Sequence, residues 1–200
     1  MRSNILTFAA VSSTLASAIP MEPAKVHWEA PGFGDAFGIA ATGKGIINAS
    51  LRAVGGALYV GGEQPGVTCE ADEHPDFATF GWYIDKSLFL YGSSPVQQVK
   101  VDNSEVGQGT TFYVTGNQDK DYPGADGPFE IDSVTRVVKF GKIGAKACPT
   151  GEIVDQAEIK ERHRIYFTEY EEPGQNKGCV DVELLAYKTD GKPRCEYTSS

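Results

Sequence analysis

Runs of strand-forming apolar and aromatic residues, broken by short polar turns, recur along this chain. The pattern is densest in residues 77–116, where Phe77, Phe80, Trp82, Tyr83, Phe89, Tyr91, Phe112 and Tyr113 stand between short polar turns. Residues 77–84 and 87–91 read as the two strands of a hairpin turning at Asp85-Lys86. In the second strand Leu88 and Leu90 alternate with Phe89 and Tyr91, so both faces are apolar. That predicts a strand that is central or covered on each side. Residues 96–101 (VQQVKV) alternate more cleanly and predict a half-exposed strand. Residues 110–115 (TTFYVT) carry the β-branched and aromatic side chains that suit a pleated surface. Gly107-Gln108-Gly109 just before them supplies a turn in which glycine takes a positive φ. The aromatics of this stretch are read as holding a sheet together, and any functional surface is expected outside it.

The rest of the chain extends the same pattern. Residues 57–60 form a short strand between Gly55-Gly56 and Gly61-Gly62. Residues 129–131 and 137–140 predict another hairpin, 145–148 an edge strand, and 164–170 and 180–187 two further strands. Residues 38–45 read as a glycine-rich turn before a strand. Only residues 152–163 (EIVDQAEIKERH) predict a short helix, since Ile153, Val154, Ala157 and Ile159 loosely match its period. About nine to eleven short strands, with turn signals roughly every ten residues, predict an all-β antiparallel sandwich or barrel. Hairpins centred near Leu58, Leu88 and Val138 keep a β-trefoil as the alternative.

Length and charge narrow the class. The 200 residues suit one domain able to bury a full core. Acidic residues outnumber basic ones 27 to 18, for a net charge of −9. That argues against nucleic acid, whose binding needs lysine and arginine to displace counterions, and against an anionic membrane surface. Arg2, the apolar run ILTFAAV at 5–11 and the small residues Ala16-Ser17-Ala18 spell a secretory signal peptide over residues 1–18. An extended arm follows over 19–36 and the all-β domain over 37–200. The polar ending lacks the hydrophobic tail of a lipid anchor, so a secreted protein without a membrane anchor is expected.

Secretion gives the four cysteines, Cys69, Cys148, Cys179 and Cys195, a reading as two disulfides. Of three possible pairings, Cys179–Cys195, closing a short local loop, and Cys69–Cys148, tying early strands to late ones, are favoured. No pair has the close spacing of a structural zinc site. Asn48-Ala49-Ser50 is the N-glycosylation sequon, with Asn48 the acceptor. Trp28, in the arm, is the candidate carbohydrate contact, whereas Trp82 in its apolar strand is assigned to the core.

Candidate chemistry adds little. Gly38 to Gly45 nearly spells a phosphate-binding loop, but Gly45 stands where Ser or Thr must hold magnesium. Asp72-Glu73-His74 lacks a second ligand cluster. Asn117, Asp119, Asp121 and Asp126 gather oxygens in one acidic loop without the order of a calcium-binding loop. There is no G-x-S-x-G elbow and no H-E-x-x-H, and His27, His74 and His163 lie scattered. No catalytic residue, cofactor or metal site is assigned.

A resemblance sharpens this. Ala78-Thr79-Phe80, Leu88-Phe89-Leu90-Tyr91, Val101-Asp102, Val106-Gly107-Gln108-Gly109 and Tyr113-Val114-Thr115-Gly116 follow one another in order. So do Ile131-Asp132-Ser133, Phe140, Ala147-Cys148-Pro149, Gly178-Cys179 and Cys195-Glu196-Tyr197-Thr198. Together they resemble the fungal PhiA-type cell-wall proteins, with the four cysteines where that family places its own. Val106 stands in place of a methionine, Val180-Asp181 in place of a Gly-Phe-like pair, and the arm is longer. The resemblance implies a secreted, wall-associated protein with a structural or binding role in phialide and conidium development. Its implied partners are wall polysaccharide or other wall components, held non-covalently. A secreted carbohydrate-binding or host-directed protein without wall attachment is the alternative.

Overall fold

The computed structural model describes residues 26–27, 29–70, 76–92, 95–116, 124–154, 159–189 and 194–198. The strands are β1 (Val26–His27), β2 (Ala36–Gly43), β3 (Ile46–Val54), β4 (Ala57–Val60), β5 (Thr68–Cys69), β6 (Thr79–Trp82), β7 (Leu88–Leu90) and β8 (Gln97–Asp102). They continue with β9 (Thr110–Thr115), β10 (Phe129–Ile131), β11 (Val138–Phe140), β12 (Ala145–Ile153), β13 (Glu161–Phe167), β14 (Val180–Thr189) and β15 (Cys195–Glu196). Of sandwich, barrel and trefoil, the pairings give a closed antiparallel barrel. From β14 the sheet runs through β12, β13, β4, β9, β8, β7, β6 and β2 and returns to β14. β3 bridges β2 to β4. Among the described residues, closure leaves the barrel no long open edge for another chain to pair with. The closing seam is the pairing of β2 with β14, from Phe37↔Lys188 to Gly43↔Val182.

The period-two pattern fills the barrel. Phe37, Ile39 and Ala41 on β2, Leu88 and Leu90 on β7, Val99 and Val101 on β8, and Val182, Leu184 and Ala186 on β14 enter one core. The β10–β11 hairpin adds Phe129, Ile131, Val138 and Phe140. The Phe129 ring lies 5.1 Å from Phe140 and 5.7 Å from Phe167, edge to face in both cases. Trp82, half-buried, donates its indole N–H to the Phe129 carbonyl at 3.0 Å.

The end of the chain is a plug for this core. Cys195 and Tyr197 are buried in it. The Gln97 side chain, itself 2% exposed, brackets the Tyr197 backbone. Its Oε1 accepts from the Tyr197 N–H at 2.8 Å and its Nε2 donates to the Tyr197 carbonyl at 2.6 Å. The Thr79 N–H donates to the Tyr197 hydroxyl at 2.9 Å, and the Tyr113 hydroxyl donates to the Thr198 carbonyl.

Several expectations are corrected. Residues 36–43 are a strand, β2, with no turn until Lys44-Gly45. Gly38 is there for space: a Cβ would lie 2.2 Å from the Tyr187 ring of the paired residue. The segment at 145–148 is no edge strand. It extends to Ile153 and lies between β13 and β14. The short helix gives way to a strand connection, with Glu152 and Ile153 in β12, Glu161–His163 in β13, and the Val154 N–H bonded to the Lys160 carbonyl at 2.9 Å. Val154 and Ile159 are both buried, so two core contacts had mimicked part of a helical face.

Both disulfides differ from the favoured pairing. They join Cys69 to Cys195 and Cys148 to Cys179. Sheet register decides this, not closeness in sequence. Cys69 and Cys195 are opposed in the β5–β15 pair. Ala147↔Val180 pair on β12 and β14, so the next residues outward, Cys148 and Cys179, also face each other. In a chain-entropy picture, the separations of 126 and 31 residues correspond to about 5 and about 4 kcal/mol.

Candidate functional site

On the outer face of the β6–β7 hairpin, partly exposed aromatic side chains gather in one place. Leu88 and Leu90 point into the core, so Phe89 and the adjoining Tyr91 must face outward. Sequence reasoning expects a strand apolar on both faces to be central or covered on each side, and β7 is central, paired with β6 and β8. Here Phe89 and Tyr91 are only half-buried and Tyr83 is 45% exposed. The rings shelter one another instead of meeting a second layer. Tyr83 and Phe89 meet edge to face with centroids 5.1 Å apart. Gly81 lies opposite Phe89 in the β6–β7 register, and a Cβ there would make ordinary contacts with the Tyr83 ring at 3.4 Å and Tyr91 at 3.7 Å.

These rings line a cleft of about 740 Å³ that also takes in Ile84, Asp85, Val96, Glu70 and Arg194. That size lies within the usual range for small-ligand sites. Ile84 and Val96 are 84% and 57% exposed, so apolar side chains of the cleft lie open to solvent. One side of the cleft is the hairpin. The other is the stapled pair β5–β15: Glu70 follows Cys69 and Arg194 precedes Cys195, and the Glu70 N–H donates to the Arg194 carbonyl at 2.9 Å. The Cys195 N–H reaches the Tyr91 carbonyl at 3.3 Å, which joins the two sides.

The hairpin turn carries the cleft's best-defined charge. Ser87 donates both its hydroxyl, at 2.5 Å, and its backbone N–H, at 3.1 Å, to Asp85 Oδ1. The hydroxyl bond first, then the backbone bond, hold the Asp85 carboxyl below the usual aspartate value. Lys86 takes the positive φ of the turn, at 63°.

The residues singled out from sequence fall in separate places. Trp28 and residues 1–18, expected from sequence to be a signal peptide, lie outside the described residues, as do Asp72, Glu73 and His74. Of the acidic loop, Asn117, Asp119 and Asp121 lie outside them too. Asp126 is described, and its carboxylate pairs with Lys100 Nζ at 2.7 Å. Asn48 is exposed on β3 at a positive φ of 46°, where the β2–β3 register slips between Ala41 and Gly43. Thr42 Oγ1 donates to Asn48 Oδ1 at 3.2 Å. The four cysteines hold the frame, and Cys69–Cys195 backs one side of the cleft. Tyr83, Phe89 and Tyr91 belong to the stretch whose aromatics read from sequence as holding the sheet together, with any functional surface expected outside it, and Arg194 carries no functional reading from sequence. The readable signal was an aromatic at every second position, 89 and 91, on the face that the leucines leave outward.

Comparison with known proteins gives these features a setting. The sequence profile described as PhiA-like secreted protein matches residues 37–198. A protein named cell wall protein phiA from Emericella nidulans is 33% identical over 181 residues, covering 85% of this chain and 90% of its own. One of the same name from Aspergillus niger is 27% identical over 200 residues, covering 98% of this chain and 97% of its own. A third, from Arthroderma benhamiae, is 34% identical over 139 residues, or 66% of this chain and 70% of its own. No solved structure matches. The profile match spans the whole barrel, from the first residues of β2 to the Tyr197 plug, and the chain belongs to the PhiA-like secreted proteins, extracellular proteins of the cell wall.

Proposed function

We propose that this protein is a non-catalytic component of the fungal cell wall, held there by non-covalent contacts with wall polysaccharide, and that it serves in asexual sporulation as phialides and conidia are built. The observation that carries the reading is the agreement over nearly the whole chain with proteins named cell wall protein phiA. The physical design supports it. A closed barrel with two register-matched disulfides suits a protein that must keep its shape outside the cell.

At the rim of the cleft the Asp85 carboxyl, held below the usual aspartate value by its hydrogen bonds from Ser87, serves as a hydrogen-bond acceptor. The experiment is fractionation of purified walls from hyphae and conidia. Hot detergent should release the protein intact from washed walls, with more from conidiating cultures, and deletion should lower the yield of normal conidia. Recovery from the culture medium alone would refute wall attachment and favour a secreted binding protein.

A further inference from the structure

We infer that the cleft on the outer face of the β6–β7 hairpin is the contact with the wall, and that its ligand is a neutral β-linked pyranose chain. The inference rests on the wall-polysaccharide reading above and assigns it to particular residues. Tyr83, Phe89 and Tyr91 form the stacking platform; Glu70, Asp85 and Arg194 form the rim.

The chemistry of the two surfaces is matched. A pyranose ring with equatorial substituents turns its axial C–H bonds to both faces and its hydroxyls to the edge. Its faces are apolar and its edge is polar. A site for such a ring therefore needs open aromatic or aliphatic surface with hydrogen-bonding groups around it. The cleft supplies both: three aromatic rings with Ile84 and Val96, bordered by two carboxylates and a guanidinium. Tyrosine adds a hydroxyl at the edge of an apolar ring, which suits the same boundary. The cleft gathers apolar and aromatic side chains into one concave place with a few polar groups around it, the composition of a small-ligand site.

Charge selects among ligands. A polyanion would meet Glu70, Asp85 and the overall negative field. A neutral chain pays no such penalty and still finds both donors and acceptors at the rim. The site is also built before the ligand arrives. The Cys69–Cys195 bridge sets Glu70 and Arg194 against the hairpin, and the Cys195 N–H bonded to the Tyr91 carbonyl ties the two sides together. Pre-organisation of this kind spares the ordering cost of binding. β-Linked glucose and β-linked N-acetylglucosamine chains share the ring geometry, and the test separates them.

The test uses the secreted, oxidised, full-length protein in native affinity gels and calorimetry with soluble β-1,3-glucan, chitin oligosaccharides and, as the α-linked control, dextran. At least one β-linked arm should bind and dextran should not. Tyr83→Ala and Tyr91→Ala should each weaken that binding tenfold or more, and Tyr170→Ala, an exposed tyrosine outside the cleft, should leave it unchanged. Melting curves of each variant confirm that the barrel is intact. Arg194→Ala, a change at an exposed rim residue, gives a second reading should Tyr91→Ala fail to fold, and it should weaken binding severalfold. Equal binding by wild type and both tyrosine variants would overturn the assignment. So would failure of every β-linked arm, or self-association abolished by Tyr83→Ala in place of glycan binding. The two readings fail separately. A wall-bound protein that binds no purified glycan keeps the wall reading and loses this site; a protein found only in medium that binds through these tyrosines does the reverse.

Discussion

Replacing Gln97 with leucine removes the amide that holds the end of the chain in the core. In the native barrel its Oε1 and Nε2 satisfy the N–H and C=O of Tyr197 at 2.8 and 2.6 Å, and Nε2 also donates to Thr115 Oγ1 at 3.1 Å. Both Gln97 and Tyr197 are 2% exposed. Water cannot replace the lost partners without opening the core. A buried backbone group left unpaired costs about 1–3 kcal/mol, and two are left here. Leucine nearly conserves volume and recovers some transfer energy, so the expected loss is about 3 kcal/mol. For a domain of this size each kcal/mol lowers Tm by about 2–4 °C, which gives a fall of about 6–12 °C. Should the tail lift locally while the Cys69–Cys195 bridge keeps it tethered, the Tm change shrinks and the Tyr197 amide loses its hydrogen-exchange protection. Calorimetry and exchange together cover both routes. Gln97→Glu supplies a sharper signature. It keeps the acceptor for the N–H but faces the Tyr197 carbonyl with a carboxylate, which can donate only when protonated. Burial raises the folded pKa of that glutamate above its unfolded value of about 4.3. The variant should match wild type best below pH ~4.3 and lose stability as pH rises through the folded pKa. A Gln97→Leu barrel with Tm within about 2 °C of wild type and full protection at Tyr197 would refute the clamp.

Two further outcomes are expected. Burial pushes the Tyr113 phenol up to about 12 and also raises Tyr187 and Tyr197. Their neutral forms stabilise the fold fully below the unfolded tyrosine value of about 10, and that stability is lost as pH rises through the folded values; ultraviolet titration should show phenol ionisation at these three residues above that value, and its completion in a single step near pH ~10 would contradict it. Asn48, exposed at its register slip, should carry an N-linked glycan in the secreted protein; an amidase that removes such glycans should lower the apparent mass, and no shift, or an equal shift in Asn48→Gln, would count against it.

Local elements were legible because local chemistry sets them. Residues 110–115 form β9 as read, and the Asp85-Lys86 turn needs only an aspartate accepting from Ser87 and a residue that accepts positive φ. Glycine at 109 likewise answers a φ of 87°, with the Phe167 carbonyl too close for any Cβ. Partnership was not legible, since it depends on residues far apart. Nothing within 145–148 tells that β13 and β14 flank it, and nothing near Cys195 tells that Cys69 lies opposite. The cleft was hidden for a different reason. Leu88-Phe89-Leu90-Tyr91 states that both faces are apolar, but the same pattern serves a strand covered by a second layer and one whose rings cover each other around a ligand cleft.

The seam between β2 and β14 has a consequence for export. A chain passing through a membrane pore emerges from its N-terminal side, so β2 reaches the exterior long before Val182 to Lys188 can pair with it. Cys69 and Cys148 likewise wait for Cys195 and Cys179. Until the last strand arrives, β2 carries an unpaired edge and two thiols stay open to wrong partners, the exposure that makes non-local β topologies slow and prone to aggregation. Barrel closure and correct oxidation thus become one late event, and a truncation that removes only the residues after Val180 should leave a chain for the secretory pathway's quality control to retain.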